Sequence, residues 1–141
     1  MHFRFLGAGL LLLAASNLQA GHPPWPLEII ERFDSAKIVV YAKEDDIAAS
    51  PEWRPADGAP PFTLADLLKT VAAWQAKLPA MAGSTIHTIE LKPIAHHEQQ
   101  NRWYYLVRLK DKPGARHPIH YVGILLSGKV LPVIQEPAAI K

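Results

Sequence analysis

The clearest hydrophobic pattern in the chain is helical. Apolar residues recur at intervals of three and four, the spacing of one helix face: Leu64, Leu67, Leu68, Val71, Trp74 and Leu78. Thr63 is a favourable N-cap, and Phe62 stands where it can form a hydrophobic staple with the first turn. Pro79 ends the pattern, because proline cannot continue a helix. The sequence therefore predicts an amphipathic helix over residues 64–78, whose apolar stripe needs a sheet to cover it.

Strand patterns follow the predicted helix. Residues 85–92 are rich in β-branched side chains, and residues 103–110 and 118–126 alternate between two faces, as half-buried strands do. A Ser127-Gly128 turn connects them to a further strand at 129–135. Local turns make neighbouring strands antiparallel. These patterns predict an α+β fold, in which one main amphipathic helix packs on an antiparallel sheet of about four strands.

The N-terminal part of the domain has weaker patterns. Residues 26–33 place apolar side chains at helical spacing and predict a short helix, and residues 36–43 predict a strand. Four prolines then mark residues 45–62 as a connection without regular structure. Trp53 within it is expected to plug an edge of the core. We expect residues 21–141 to form a single domain.

The first twenty residues have the layout of a secretory signal peptide. A basic start precedes an apolar run shorter than the roughly 18–20 residues that span a bilayer, and small residues follow. The chain of 141 residues contains no cysteine, so an exported form depends on its core instead of disulfides. We expect a bacterial periplasmic or secreted protein that keeps no membrane anchor after cleavage at residue 20.

Composition and motifs exclude several functions. The formal charge is +2, and the basic residues are scattered, so no basic face predicts nucleic-acid binding. Metalloprotease, nucleophile-elbow and phosphate-loop motifs are absent from the sequence, and no cysteine nucleophile is possible. A dispersed Ser-His-Asp triad is left open. The sequence predicts that the protein is not an enzyme and needs no cofactor.

One strand face is a candidate partner-binding surface. Tyr104, Leu106 and Arg108 alternate with the other face of their strand, and aromatic and arginine side chains dominate the energetics of interfaces. If this face is exposed, it predicts contact with a protein partner. The alternative is that both faces are covered, one by the helix and one by the N-terminal segment or a second copy.

Histidines provide an alternative function. His96 and His97 adjoin a turn, and His22 would be near a new N-terminus, so these imidazoles predict a periplasmic copper or zinc site. Adjacent residues on an extended chain point in opposite directions, which weakens this reading for the histidine pair.

The order of elements resembles that of a PepSY-type domain. The resemblance covers about residues 60–135 and rests on WYYLVRL at 103–109 and on SGKVL at 127–131. It implies a helix on an antiparallel sheet, similar also to cystatin-like folds, and a non-catalytic module. Such a module binds, inhibits or regulates an envelope protein, often a peptidase. The sequence does not set the oligomeric state.

Overall fold

A computed structural model describes residues 26–33, 36–114 and 119–137. The predicted signal peptide and His22 lie outside these residues. The helices and strands are, in chain order, β1 (Leu27–Phe33), β2 (Ala36–Ala42), α1 (Glu44–Ala49), α2 (Leu64–Ala76), β3 (Thr85–Pro93), β4 (Trp103–Lys110), β5 (Ile119–Leu125), β6 (Val130–Leu131) and β7 (Val133–Pro137). Short 3-10 helices occupy Pro55–Asp57, Pro79–Met81 and Glu98–Gln100.

The α+β class and the antiparallel pairing are confirmed, but the prediction of one sheet is wrong. Sheet A has the order β1-β2-β7, and sheet B has the order β3-β4-β5-β6. The predicted strand at 129–135 is divided between them at Pro132. The carbonyl of Pro132 accepts a hydrogen bond from the backbone N–H of Tyr41 at 2.9 Å. At this residue the chain passes from sheet B to sheet A.

The segment predicted as an N-terminal helix is strand β1. Ile29 is buried toward sheet B, while Glu28, Ile30 and Arg32 point outward and are exposed. The alternation of apolar and polar residues that is typical of a strand is not visible in the sequence of β1, because the inward position between Ile29 and Phe33 is the charged residue Glu31. Pairing with β2 along its whole length then favours the strand.

Two predictions between the strands and the main helix have different outcomes. Residues 44–49, placed partly in the predicted connection, form α1, because Ile47 is buried and three acidic residues occupy the first turn, where the helix dipole favours them. Trp53 does plug the core edge: it is buried, its Nε1 donates to Gly58 O at 3.2 Å, and its ring meets Trp103 edge-on.

The main helix is confirmed and ends two residues before its predicted limit. Thr63 Oγ1 accepts a hydrogen bond from the N–H of Asp66 at 3.1 Å and thereby caps the helix. Only part of the predicted stripe is covered, since Leu67 and Val71 are buried but Leu64 and Leu68 are 56% and 44% exposed.

Sheet B is covered on both faces. One face packs on α2 through residues such as Tyr105, Val107 and Ile124. The opposite face packs on sheet A, where Val40 and Ile38 meet the other alternating set of β4 and β5. The protein therefore has two apolar layers with sheet B between them.

The turn at Ser127-Gly128 is confirmed as a three-residue loop. The N–H of Leu125 donates to Lys129 O at 2.9 Å, and the N–H of Gly128 donates to Leu125 O at 2.8 Å. Gly128 has a φ of 86°, the left-handed conformation that this type of loop requires at its third residue.

Candidate functional site

The predicted partner-binding face is not an exposed surface. Tyr104 is 0% and Leu106 is 2% exposed, because sheet A covers this side of β4. Arg108 is half-buried, and its Nε has no hydrogen-bond partner among the described residues. The expectation of exposure is therefore wrong for Tyr104 and Leu106, and the alternative, coverage by the N-terminal segment, is confirmed.

Tyr104 belongs to a structural network between the sheets. Its hydroxyl donates to Glu31 Oε1 at 2.7 Å, and Glu31 Oε2 lies 2.6 Å from Lys92 Nζ. Burial, and then the hydrogen bond to Glu31, raises the pKa of Tyr104 far above its ordinary range. The neutral phenol of Tyr104 thus provides a hydrogen-bond donor to the Glu31 carboxylate between the two sheets.

The histidine pair does not assemble a metal centre in the described part of the chain. His97 Nδ1 lies 3.0 Å from Gln100 Oε1, and its Nε2 lies 3.4 Å from Glu44 Oε1. A metal would therefore have to displace one of these contacts. His96 is exposed at a left-handed turn position, with a φ of 67°. Residues 26–33, 36–114 and 119–137 contain no cluster of three or more His, Asp and Glu able to hold a metal.

A histidine and an aspartate form a pair at one end of sheet B, and a serine lies on the neighbouring strand's approach to that end. His120 Nε2 lies 3.4 Å from Asp111 Oδ2, and Ser84 directly precedes Thr85, which pairs with Lys110. The Ser84 hydroxyl is buried and has no hydrogen-bond partner in the described chain, so it is neither activated by the imidazole nor open to a substrate.

Asp111 is fixed as a carboxylate at this end of the sheet. The N–H of Lys112 donates to Asp111 Oδ1 at 2.8 Å, and this bond is the main reason that the pKa of Asp111 is lowered. The contact with His120 lowers it further. The pair orients the imidazole of His120 at the rim of an open cleft.

That cleft forms where the last hairpin divides between the two sheets. β6 pairs with β5 only at Gly123 and Ile124. After Pro132 the chain pairs with β2 instead, so Ile119–Val122 has no partner strand on that side among the described residues. The space left between the two strands is called here the β5–β7 cleft.

The β5–β7 cleft has a volume of about 250 Å³, and both apolar and polar groups line it. Its walls consist of Trp74, Leu78, Met81, His120, Tyr121, Val133 and Gln135. Leu78 is 38% exposed, although it was predicted to face a sheet. Aromatic and aliphatic groups beside one imidazole and one amide suit a polypeptide ligand better than a highly charged one.

Two other depressions differ from this cleft in having Lys, Arg, Asp or Glu in their linings. One is lined by Arg54 and Asp57, whose side chains already form an ion pair at 3.2 Å. Another begins at Pro26 and includes Lys43 and Lys129. It adjoins residues 21–25, and the β5–β7 cleft adjoins residues 115–118 and 138–141; all of these lie outside the described chain.

Sequence reasoning missed the β5–β7 cleft. One signal for it was available: Pro132 interrupts the predicted strand 129–135, and proline within a strand marks an edge or an irregularity. The sequence did not show that the residues after Pro132 pair with β2, which lies more than 80 residues earlier in the chain.

Comparisons with known proteins give no further identification: no family model, curated protein or solved structure matches this chain. None of the helices within the described residues is both long and apolar enough to cross a membrane.

Proposed function

We propose that this protein is an exported, non-catalytic binding module of the bacterial cell envelope that inhibits or regulates a protein partner. Its export rests on the signal-like pattern of residues 1–20. Its α2–sheet B unit agrees in element order with the PepSY-like resemblance over residues 60–135. An envelope peptidase is the partner class that this resemblance implies.

The single observation that supports the proposal is the β5–β7 cleft. Trp74, Leu78 and Tyr121 offer aromatic and aliphatic contact area, and such residues carry much of the energy of protein interfaces. The part of the lining that the structure describes contains no Lys, Arg, Asp or Glu, so contact with Trp74, Leu78 and Tyr121 does not require the desolvation of such a group. The sequence alone placed the binding surface on the face of β4 that contains Tyr104 and Leu106. We propose the β5–β7 cleft in its place.

The experiment is a peptide selection on the protein recovered after export from a bacterial host. Linear nine-residue peptides are selected from a random library, and the affinity of the best peptide is measured by fluorescence anisotropy. Leu78→Asp places a carboxylate in the cleft, and we expect it to weaken binding by about tenfold or more. Leu68→Asp is the matched control, because Leu68 in α2 is a leucine of similar exposure that does not line the cleft.

Two results would contradict the proposed site. The first is a selection that enriches no peptide. The second is a set of peptides whose affinity falls equally for Leu78→Asp and Leu68→Asp, since this would place binding elsewhere. Circular dichroism of both variants checks that their folds are unchanged.

A further inference from the structure

We infer that the β5–β7 cleft takes an extended segment of the partner as an added strand on the free edge of β7. This inference rests on the proposed function and names the mode of binding. It follows from the direction of the backbone groups on β7, from the aromatic and aliphatic side chains in the cleft, and from the protection of the edge strands β1 and β3.

The backbone of β7 presents to the cleft N–H and C=O groups that no described residue pairs with. Pro132 O accepts a hydrogen bond from the N–H of Tyr41, so the backbone of Pro132 faces β2. The direction alternates along a strand, so the backbone groups of Ile134 and Glu136 also face β2. The groups of Val133 and Gln135 therefore face away from β2. Each of these two residues offers one N–H and one C=O along the open edge.

The side chains of an added strand would enter the cleft. A strand on the edge of β7 continues sheet A, so its inward side chains point in the same direction as Val133, whose partner Val40 is buried against sheet B. Beneath that position stand Trp74, Leu78 and Tyr121. Because no Lys, Arg, Asp or Glu is among the described residues that line the cleft, it complements uncharged, apolar side chains at every second position.

The strands at the opposite side of the sandwich are protected against such addition. β1 carries the inward charge of Glu31, and β3 carries Lys92 and Glu90, with Lys92 Nζ at 2.6 Å and 3.6 Å from the two carboxylates. β3 also has an irregular register between Ile86 and Thr88. Inward charges and bulges are the devices by which proteins prevent edge pairing. Charges of this kind are absent from the inward positions Val133 and Gln135 of β7.

Prolines limit the length of the added strand. Pro137 has no N–H to donate at the open edge, and Pro132, whose backbone groups face β2, precedes the first residue of β7. The free edge therefore accommodates about five residues in extended conformation. The expected ligand is a short segment with apolar residues at alternate positions.

The test uses the best peptide from the nine-residue library and two N-methylated versions of it. One version carries N-methyl groups on its odd-numbered residues, and the other carries them on its even-numbered residues. Strand addition requires the N–H groups of only one set, so we expect one version to bind at least about tenfold more weakly and the other to bind nearly as well as the parent. Gln135→Pro removes an N–H from the open edge of β7 without breaking the pairing with β2. It should lower the affinity for the parent peptide by a similar factor. Gln135→Ala is its side-chain control.

Equal affinity of both N-methylated versions would overturn strand addition while leaving the proposed function intact, provided that Leu78→Asp still weakens binding. Unchanged affinity of Gln135→Pro would also overturn it. Self-association of the protein, measured by light scattering and abolished by Gln135→Pro, would assign the edge to a second copy instead of a partner.

Discussion

Glu31 occupies an inward position of an edge strand, where an apolar residue would usually stand. Its carboxylate is only 19% exposed and is held by the Tyr104 hydroxyl and the Lys92 ammonium group. Both partners come from sheet B, so the three side chains join the two sheets at one edge. A hydrogen bond between a neutral group and a buried carboxylate contributes more than one between neutral groups.

This network predicts a loss of stability at alkaline pH. Because the folded-state pKa of Tyr104 is raised, its contribution is fully present below the ordinary tyrosine pKa of about 10 and is lost as the pH rises above it. Burial raises the pKa of Tyr105 and Tyr121 in the same direction. We expect the free energy of unfolding in urea to fall between pH 10 and 11. The fall attributable to Tyr104 is about 1.4 kcal/mol per pH unit at most.

The variant Tyr104→Phe separates this residue from the others. It should cost about 1–2 kcal/mol at pH 7, because Glu31 loses its hydroxyl donor, and its stability should depend less on pH above 10. Tyr121→Phe is the control, since its hydroxyl has no hydrogen-bond partner in the described chain. An unchanged alkaline slope in Tyr104→Phe would show that the phenol titrates equally in both states.

At the scale of elements, the spacing between the two sheets depends on one glycine of β5. A Cβ atom on Gly123 would lie 2.8 Å from Val40 Cγ1 and 3.4 Å from Leu131 Cβ. Both neighbours are buried side chains, so they have little room to move. The close approach of β2 to β5 is therefore possible only because position 123 has no side chain.

We expect Gly123→Ala to destabilise the protein by about 1–3 kcal/mol through overpacking. Val40→Ala removes the opposing methyl groups, so the double variant should be more stable than the sum of the two single effects predicts by about 1 kcal/mol. Urea unfolding of the four proteins completes the cycle. Additive effects would mean that β2 shifts to accept the new methyl group without contact.

At the scale of the whole molecule, the N-terminal strands complete the core that α2 and sheet B begin. Residues 60–135 include α2 and all of sheet B but lack β1 and β2. Without them, Tyr104, Leu106 and Leu125, all nearly or fully buried, would face water. An exposed apolar sheet face of this size favours aggregation or a loosely packed state.

A fragment of residues 60–135 should therefore not form a stable monomer, whereas the chain that includes β1 and β2 should unfold in one cooperative transition. Near-ultraviolet circular dichroism and binding of a hydrophobic dye distinguish these states. A fragment that unfolds cooperatively with little dye binding would show that the helix and sheet B form an independent domain.

The sequence by itself determined the elements whose signals are local. The 3.6-residue period with a cap at Thr63 was enough for α2, and the period-two alternation was enough for β4. The glycine at position 128 determined the turn, because the loop needs a left-handed residue there. Such signals need no contact with distant residues, and they also fixed the α+β class.

Only the tertiary structure decided which faces are buried and where the candidate site lies. Alternation assigns the residues of β4 to two faces, but it does not say that β1 and β2 cover the face of Tyr104 and Leu106. The position of the β5–β7 cleft likewise follows from the pairing of β7 with β2, whose residues are almost a hundred positions earlier. Free energy from such long-range contacts overrides local preference, as the strand β1 shows, and a single sequence contains no period that encodes them.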